Sequence, residues 1–231
     1  MTARTFFSAL LLLATGLPAA EPAKKIVALA GDSTVTDAAG WGAAFAKLLN
    51  PARAECKNFA GGGQSTKSFR DSKKWQQVLD AKPDVVLIQF GHNDMPGKGP
   101  HRETDPATTY AENLGRYVDE ARAIGAQPVL VTSLTRRVFL EGKIRGELKP
   151  YAEAARKVAA EKKVPLVDLF ARSVALHEQM GEKESDSFNP PGKKKDNSDR
   201  THLNAHGAEV VAGIIAEELR KVAPDVAGLL K

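Results

Sequence analysis

Short apolar runs alternating with amphipathic stretches constrain this chain more than any other feature. Runs at Ile26 to Ala30, Val85 to Phe90, Val129 to Val131 and Leu166 to Leu169 are rich in β-branched residues and bounded by turn formers, with a weaker run from Ala54 to Phe59. Continuous apolar strands of this length are buried on both faces, which is the pattern of a parallel sheet rather than a one-sided antiparallel one. Between them lie helical patterns. Asp105-Pro106 predicts a helix start, with Tyr110, Leu114, Tyr117, Val118 and Ala121 on one face and Gly125 as a left-handed end. A second helix is expected from Pro150 through Lys163. A last one follows Asn204, with Val210, Val211, Ile214, Ile215 and Leu219 as its apolar stripe. Strand and helix in alternation predict an α/β fold, a sheet covered on both sides by helices.

A length of 231 residues suits one well-cored domain. With 42% hydrophobic and 26% charged residues, neither a disordered chain nor a multi-span membrane protein is indicated. The first residues stand apart: Arg4 precedes an apolar run from Phe6 to Leu13, and small residues follow at Ala14, Ala19 and Ala20. This is a signal-peptide pattern, too short to cross a bilayer as a helix, which needs about 20 residues. The expectation is a leader over residues 1–20, with cleavage between Gly16 and Ala23, and a single domain over 21–231 that is secreted or periplasmic and not stably inserted in a membrane. An uncleaved anchor is the rival reading.

Cys56 is the only cysteine, so no intramolecular disulfide can form and stability must come from the core. Its place in a strand pattern predicts a packed thiol rather than a nucleophile. The net charge of +5 suits acidic partners. Export and the lack of a nucleic-acid-binding module argue against nucleic acid and leave an anionic polysaccharide as the better fit. From Gly181 to Arg200 the chain reads as one long irregular loop.

In open parallel sheets, ligands collect outside the carboxyl ends of the strands. Gly31-Asp32-Ser33-Thr34 follows the first strand directly, a nucleophile's position that is equally a capping turn. Far along the chain, Asp199-Arg200-Thr201-His202 lets a carboxylate and an imidazole meet within one turn. Serine attack on a carbonyl needs a base, and the base needs an acid that fixes its tautomer, so Ser33, His202 and Asp199 can fill those roles. The same Asp-x-x-His is also common at helix starts and in metal sites. His202 and His206 do not read as a zinc pair, since no Glu lies between them. Donors for an oxyanion can come from the Ser33 N–H, from Gly63 in Asn58-Phe59-Ala60-Gly61-Gly62-Gly63-Gln64-Ser65, and from the Asn93 amide in Gly91-His92-Asn93-Asp94.

These four segments, in this order and at these strand ends, resemble the SGNH hydrolase family over nearly the whole mature chain: Gly31-Asp32-Ser33, Gly63, Gly91-x-Asn93-Asp94 and Asp199-x-x-His202. The longer forms Gly31-Asp32-Ser33-Thr34-Val35, Gly40-Trp41-Gly42 and Gly91-His92-Asn93-Asp94, with Arg136-Arg137 after the fourth strand, look like its rhamnogalacturonan acetylesterase branch. The resemblance implies a three-layer α/β/α sandwich around a flavodoxin-like parallel sheet. It implies Ser33 as nucleophile, His202 as base, Asp199 as its orienting acid, an oxyanion hole of Ser33, Gly63 and Asn93, and no metal or organic cofactor. The implied function is a secreted serine esterase that removes acetyl groups from a plant cell-wall polysaccharide, pectin or rhamnogalacturonan. Where the family usually has Arg-Ser after the oxyanion glycine, this chain has Gln64-Ser65. Asp32, His92, Arg136 and Arg137 are the substrate-binding candidates, the two arginines because a guanidinium fork suits a uronate carboxylate.

Other readings compete. An acetylxylan esterase, a lipase or a thioesterase would use the same triad, though an acyl-chain enzyme wants an apolar groove, and Lys67, Arg70, Arg136, Arg137 and Lys193 to Lys195 lie on the loops assigned to this edge. A non-catalytic carbohydrate-binding module on the same fold lacks any need for a triad. Gly61 to Ser68 differs from a phosphate-binding loop at one place, Thr66 standing where the second glycine belongs.

Overall fold

The structure is a computed structural model and describes residues 23–191 and 199–231. Its strands are β1 (Lys25–Gly31), β2 (Ala54–Asn58), β3 (Val85–Gln89), β4 (Gln127–Val131), the short β5 (Phe139–Leu140) and β6 (Lys143–Ile144), and β7 (Leu166–Val167). The helices are α1 (Gly42–Leu48), α2 (Thr66–Asp71), α3 (Lys74–Asp80), α4 (Thr109–Ala123), α5 (Lys149–Lys162), α6 (Leu169–Ser185), α7 (Ala205–Val222) and α8 (Pro224–Ala227).

All five apolar runs become strands of one sheet in the order β2-β1-β3-β4-β7, with every neighbouring pair parallel. β5 and β6 form a separate antiparallel hairpin. Because side chains alternate along a strand, each strand feeds both faces. Val27, Leu29, Leu87 and Val129 pack with Phe45 of α1 and Val211 and Ile215 of α7 on one side. On the other side Ala28, Val86, Ile88 and Leu130 pack with Trp75 of α3, Tyr117 and Val118 of α4, and Ala155 of α5. The result is the expected three-layer α/β/α sandwich. Counting only the main sheet, the order is the doubly wound 2-1-3-4-5, whose direction reverses between β1 and β3 and opens a crevice at their carboxyl ends.

Element ends follow local chemistry. α4 closes with Gly125 at φ 82°, where the Ala126 N–H returns to the Ala121 carbonyl and the Gly125 N–H to that of Arg122, a Schellman end as expected. Its start differs from expectation. The Asp105 carboxylate accepts the N–H groups of Ala107 and Thr108, which closes a separate turn, and regular helix begins only at Thr109. β7 stops at Val167 because Asp168 caps α6, its side chain accepting from the Ala171 N–H.

The stretch from Gly181 onward is also more regular than expected. α6 continues to Ser185 through a kink at Gly181, and a 3-10 turn covers Asp186–Phe188. The predicted leader and Lys193 to Lys195 lie outside the described residues. Among the described residues, no helix is long and apolar enough to cross a membrane.

Candidate active site

Ser33 stands on the turn that leaves β1. Asp32 shapes this turn from within: its Oδ1 accepts from the Thr34 N–H at 2.9 Å and from the Thr34 hydroxyl at 2.7 Å. Thr34 in turn accepts from Gln89 Nε2 at 2.7 Å, and Gln89 Oε1 accepts from the Trp41 indole N–H at 3.0 Å. This buried polar run ties the turn to the end of β3. Gly40 closes the turn from the side. A Cβ there would lie 2.0 Å from the Thr34 carbonyl oxygen, so only glycine lets the two main chains approach this closely.

The segment before α7 brings His202 to Ser33. His202 Nε2 lies 2.8 Å from Ser33 Oγ, and His202 Nδ1 lies 2.8 Å from Asp199 Oδ2. The other Asp199 oxygen accepts the N–H groups of Thr201 and His202 at 3.1 and 3.0 Å. Burial pushes the Asp199 carboxyl up, but the hydrogen bonds from the His202 main chain and ring and from the Thr201 main chain outweigh it and hold the group below its usual range. An ionised Asp199 only accepts, so Nδ1 carries the ring proton and the Nε2 lone pair faces the Ser33 hydroxyl.

The two remaining loops converge on the same place. The Gly61 N–H donates to the Gly31 carbonyl at 3.0 Å, and the Asn93 amide donates to the Gln64 carbonyl at 3.0 Å, which holds Gly63 between the end of β1 and Asn93. The main-chain N–H groups of Ser33 and Gly63 have no acceptor among the described residues.

The profile of the GDSL-like Lipase/Acylhydrolase family matches residues 26–210. Rhamnogalacturonan acetylesterase RhgT of Bacillus subtilis (strain 168) is 38% identical over 213 residues, covering 85% of this chain and 90% of its own. The chain belongs to the GDSL-like lipase/acylhydrolase family. It is a hydrolase of carboxylic esters. Solved structures share the fold: Bacillus subtilis YxiM aligns with TM-score 0.75 at 24% identity over 89% of this chain, which spans 58% of that one. Axe2, an acetylxylan esterase from Geobacillus stearothermophilus, aligns with TM-score 0.66 at 17% identity, covering 84% of this chain and 94% of its own.

Within this GDSL-like site the four candidate substrate contacts are placed differently from one another. Arg137 is fully buried; its Nε and Nη2 donate to Asn189 Oδ1, and Nη2 also reaches the carbonyls of Asp199 and His202. It shapes the His202 segment from beneath and offers no surface to a substrate. Asp32 and His92 are buried too, His92 Nδ1 lying 3.3 Å from Asp32 Oδ2. Burial raises the Asp32 carboxyl, but the facing His92 and the Thr34 hydrogen bonds outweigh that and hold it below its ordinary value. Both lie beneath the turn that carries Ser33. Arg136, one residue earlier, stays half-buried at the edge, donating to Thr201 Oγ1 at 2.6 Å with Glu147 3.5 Å from its Nε. Arg70, expected at this edge, is instead held by Glu120 through both terminal nitrogens.

Asp94 answers the phosphate-loop reading. Its Oδ1 accepts the Thr66 N–H, the Thr66 hydroxyl and the Thr104 hydroxyl, while the Ser65 N–H goes to Ser68 Oγ. Two main-chain donors at the start of α2, those of Ser65 and Thr66, are thus already engaged. Sequence reasoning missed Gln89 and Asn189. Gln89 ends an otherwise apolar strand, and that break in the pattern was the available signal. Asn189 gave none, because its partner Arg137 is 52 residues away.

Proposed function

We propose that this chain is an exported carbohydrate acetylesterase acting on acetylated rhamnogalacturonan, with Ser33 as nucleophile, His202 as base and Asp199 as the acid that orients it. The hydrogen-bonded run from Ser33 Oγ through both ring nitrogens of His202 to Asp199 carries the chemistry of this reading. The 38% identity to a rhamnogalacturonan acetylesterase supports the substrate. Residues 21–231 act as one catalytic domain behind a leader at 1–20.

In the cycle, Ser33 Oγ attacks the acetyl carbonyl carbon while His202 Nε2 takes the hydroxyl proton. Negative charge forms on the carbonyl oxygen, where the Ser33 and Gly63 N–H groups and the second hydrogen of the Asn93 amide are free to meet it. Collapse expels the sugar oxygen, which takes its proton from His202. Water then enters, gives a proton to His202 and attacks the acyl-enzyme, and acetate leaves as Ser33 regains its hydrogen. His202 acts as base only in its neutral form.

The test is acetate release from acetylated rhamnogalacturonan, acetylated xylan and a short p-nitrophenyl ester, by the wild type and by Ser33→Ala. Release from rhamnogalacturonan that falls by about three orders of magnitude or more in the variant is the expected result. A preference for xylan, or activity on the short ester alone, would keep the esterase and move the substrate, and equal rates in the two proteins would remove Ser33 from its role.

A further inference from the structure

Three cationic side chains outside the Ser33, His202 and Asp199 set gather at the edge of the crevice. Lys98 and Arg102 lie on the connection between β3 and α4, and Arg136 follows β4. Arg102 is folded back by its own loop, Nε donating to the Lys98 carbonyl at 2.8 Å, and its Nη1 lies 3.5 Å from the position a Cβ on Gly63 would take. Arg136 is fixed at the opposite side by Thr201, the neighbour of His202. Lys98 is tied to Arg102 through its carbonyl, and burial, then the charges of Arg136 and Arg102, depress its ammonium below its ordinary value. The cations thus lie beside the Gly63 loop at one end and beside Thr201, next to His202, at the other.

Their charges are poorly matched from within the protein. Other partly buried arginines each meet a carboxylate, Arg70 with Glu120, Arg156 with Asp168 and Arg172 with Glu218. Among the described residues, Glu147 at 3.5 Å from Arg136 is the one carboxylate within ion-pair distance of this trio. Glu103, on the same loop, turns its Oε1 to the Gly99 N–H at 2.6 Å. Like charges held together and partly shielded from water are unfavourable alone, and an anion placed among them relieves that cost.

We propose that Lys98, Arg102 and Arg136 form a subsite for a substrate carboxylate, receiving that of a uronic acid in the acetylated chain. This deepens the reading of the chain as an acetylesterase of an acidic polysaccharide and rests on it. Two guanidinium groups and one ammonium suit a planar carboxylate held by forked and point contacts together. The subsite also brings basic side chains to an oxyanion loop that has Gln64 where the related pattern has arginine.

The experiment compares kcat/KM for acetylated rhamnogalacturonan oligosaccharides with that for the same oligosaccharides after reduction of their carboxyl groups to alcohols. The ratio is taken within each protein, so partial loss of folded enzyme cancels. The wild type is expected to favour the acidic substrate by about tenfold at low salt, chiefly through KM, and to lose the advantage in about 0.5 M salt. The Lys98→Gln/Arg102→Gln double variant should bring the ratio close to one, whereas Arg102→Lys should retain most of it. A wild type indifferent to carboxyl reduction, or a double variant that keeps the full ratio, overturns the subsite. If neither substrate releases acetate, the esterase reading fails separately. Calorimetric binding of the same two oligosaccharides then decides the subsite: preference for the acidic one in wild type alone supports it, and equal binding overturns it.

Discussion

Arg137 reaches His202 through the main chain: its Nη2 donates to the His202 carbonyl oxygen at 2.5 Å and to that of Asp199 at 3.1 Å. The Arg137 N–H also donates to the Arg200 carbonyl at 2.9 Å. One buried residue therefore fixes the backbone that carries both Asp199 and His202. Burial lowers the guanidinium to about 10, against the pull of Asp199 and Asp186, so it stays charged at neutral pH.

Arg137→Lys should break this clamp, because an ammonium lacks the fork that serves Asn189 and both carbonyls. The expected loss is about 2–4 kcal/mol of stability, measured by urea unfolding, together with a fall in kcat larger than the change in KM. An unchanged kcat in a destabilised variant would limit Arg137 to holding the fold.

Gly40→Ala should be costly for a different reason. The added methyl meets Thr34 main-chain atoms at 2.0 and 2.1 Å, so the Ser33 turn itself must move. Overpacking of this kind costs about 1–3 kcal/mol, and the displaced turn should also lower kcat. Calorimetric melting and turnover on a short ester check both parts; a variant that is as stable and as active as wild type would contradict the close approach.

Asp94 gives stability a pH dependence of definite sign. Burial pushes its carboxyl up to about 7 although Thr66 and Thr104 pull it down, so the folded state holds the proton more tightly than the unfolded chain. Its contribution is complete below the ordinary value of 3.8 and is lost as pH rises through about 7. The unfolding free energy of wild type should therefore fall more between about pH 5 and pH 8 than that of Asp94→Asn. Parallel profiles in urea titrations would count against the raised carboxyl.

Cys56 should be inert. Burial, with the nearby Asp37 charge, pushes its thiol up to about 12, so hardly any thiolate exists near neutrality. A thiol reagent at about pH 8 should react slowly with the native protein and quickly in urea, and Cys56→Ala should leave turnover on a short ester unchanged.

The fold was legible because its signals are local. Four of the five main-sheet strands overlap apolar runs that carry β-branched residues, β2 being the weaker run from Ala54, and the α4 stripe of Tyr110, Leu114, Tyr117, Val118 and Ala121 is buried as its spacing requires. Helix starts were less legible: Asp105 has the chemistry of a cap but closes a turn ahead of α4, because a short polar side chain serves either role equally well. The Ser33 turn, the Asp199 to His202 spacing and the two glycine-rich loops were also readable, since each is a short segment placed at a strand end or ahead of a helix.

The sequence by itself determined the layered α/β architecture, the strand-end positions of Ser33, Gly63 and Asn93, and the pairing of Asp199 with His202, all of which depend on residues close in the chain. Only the tertiary structure decided which charged neighbours face outward. Arg136 and Arg137 are adjacent and chemically identical, yet Arg136 stays at the site edge on Thr201 while Arg137 turns inward to Asn189. Their partners lie 65 and 52 residues away. A long side chain goes where distant segments supply hydrogen bonds and exclude water, and periodicity along the chain records neither.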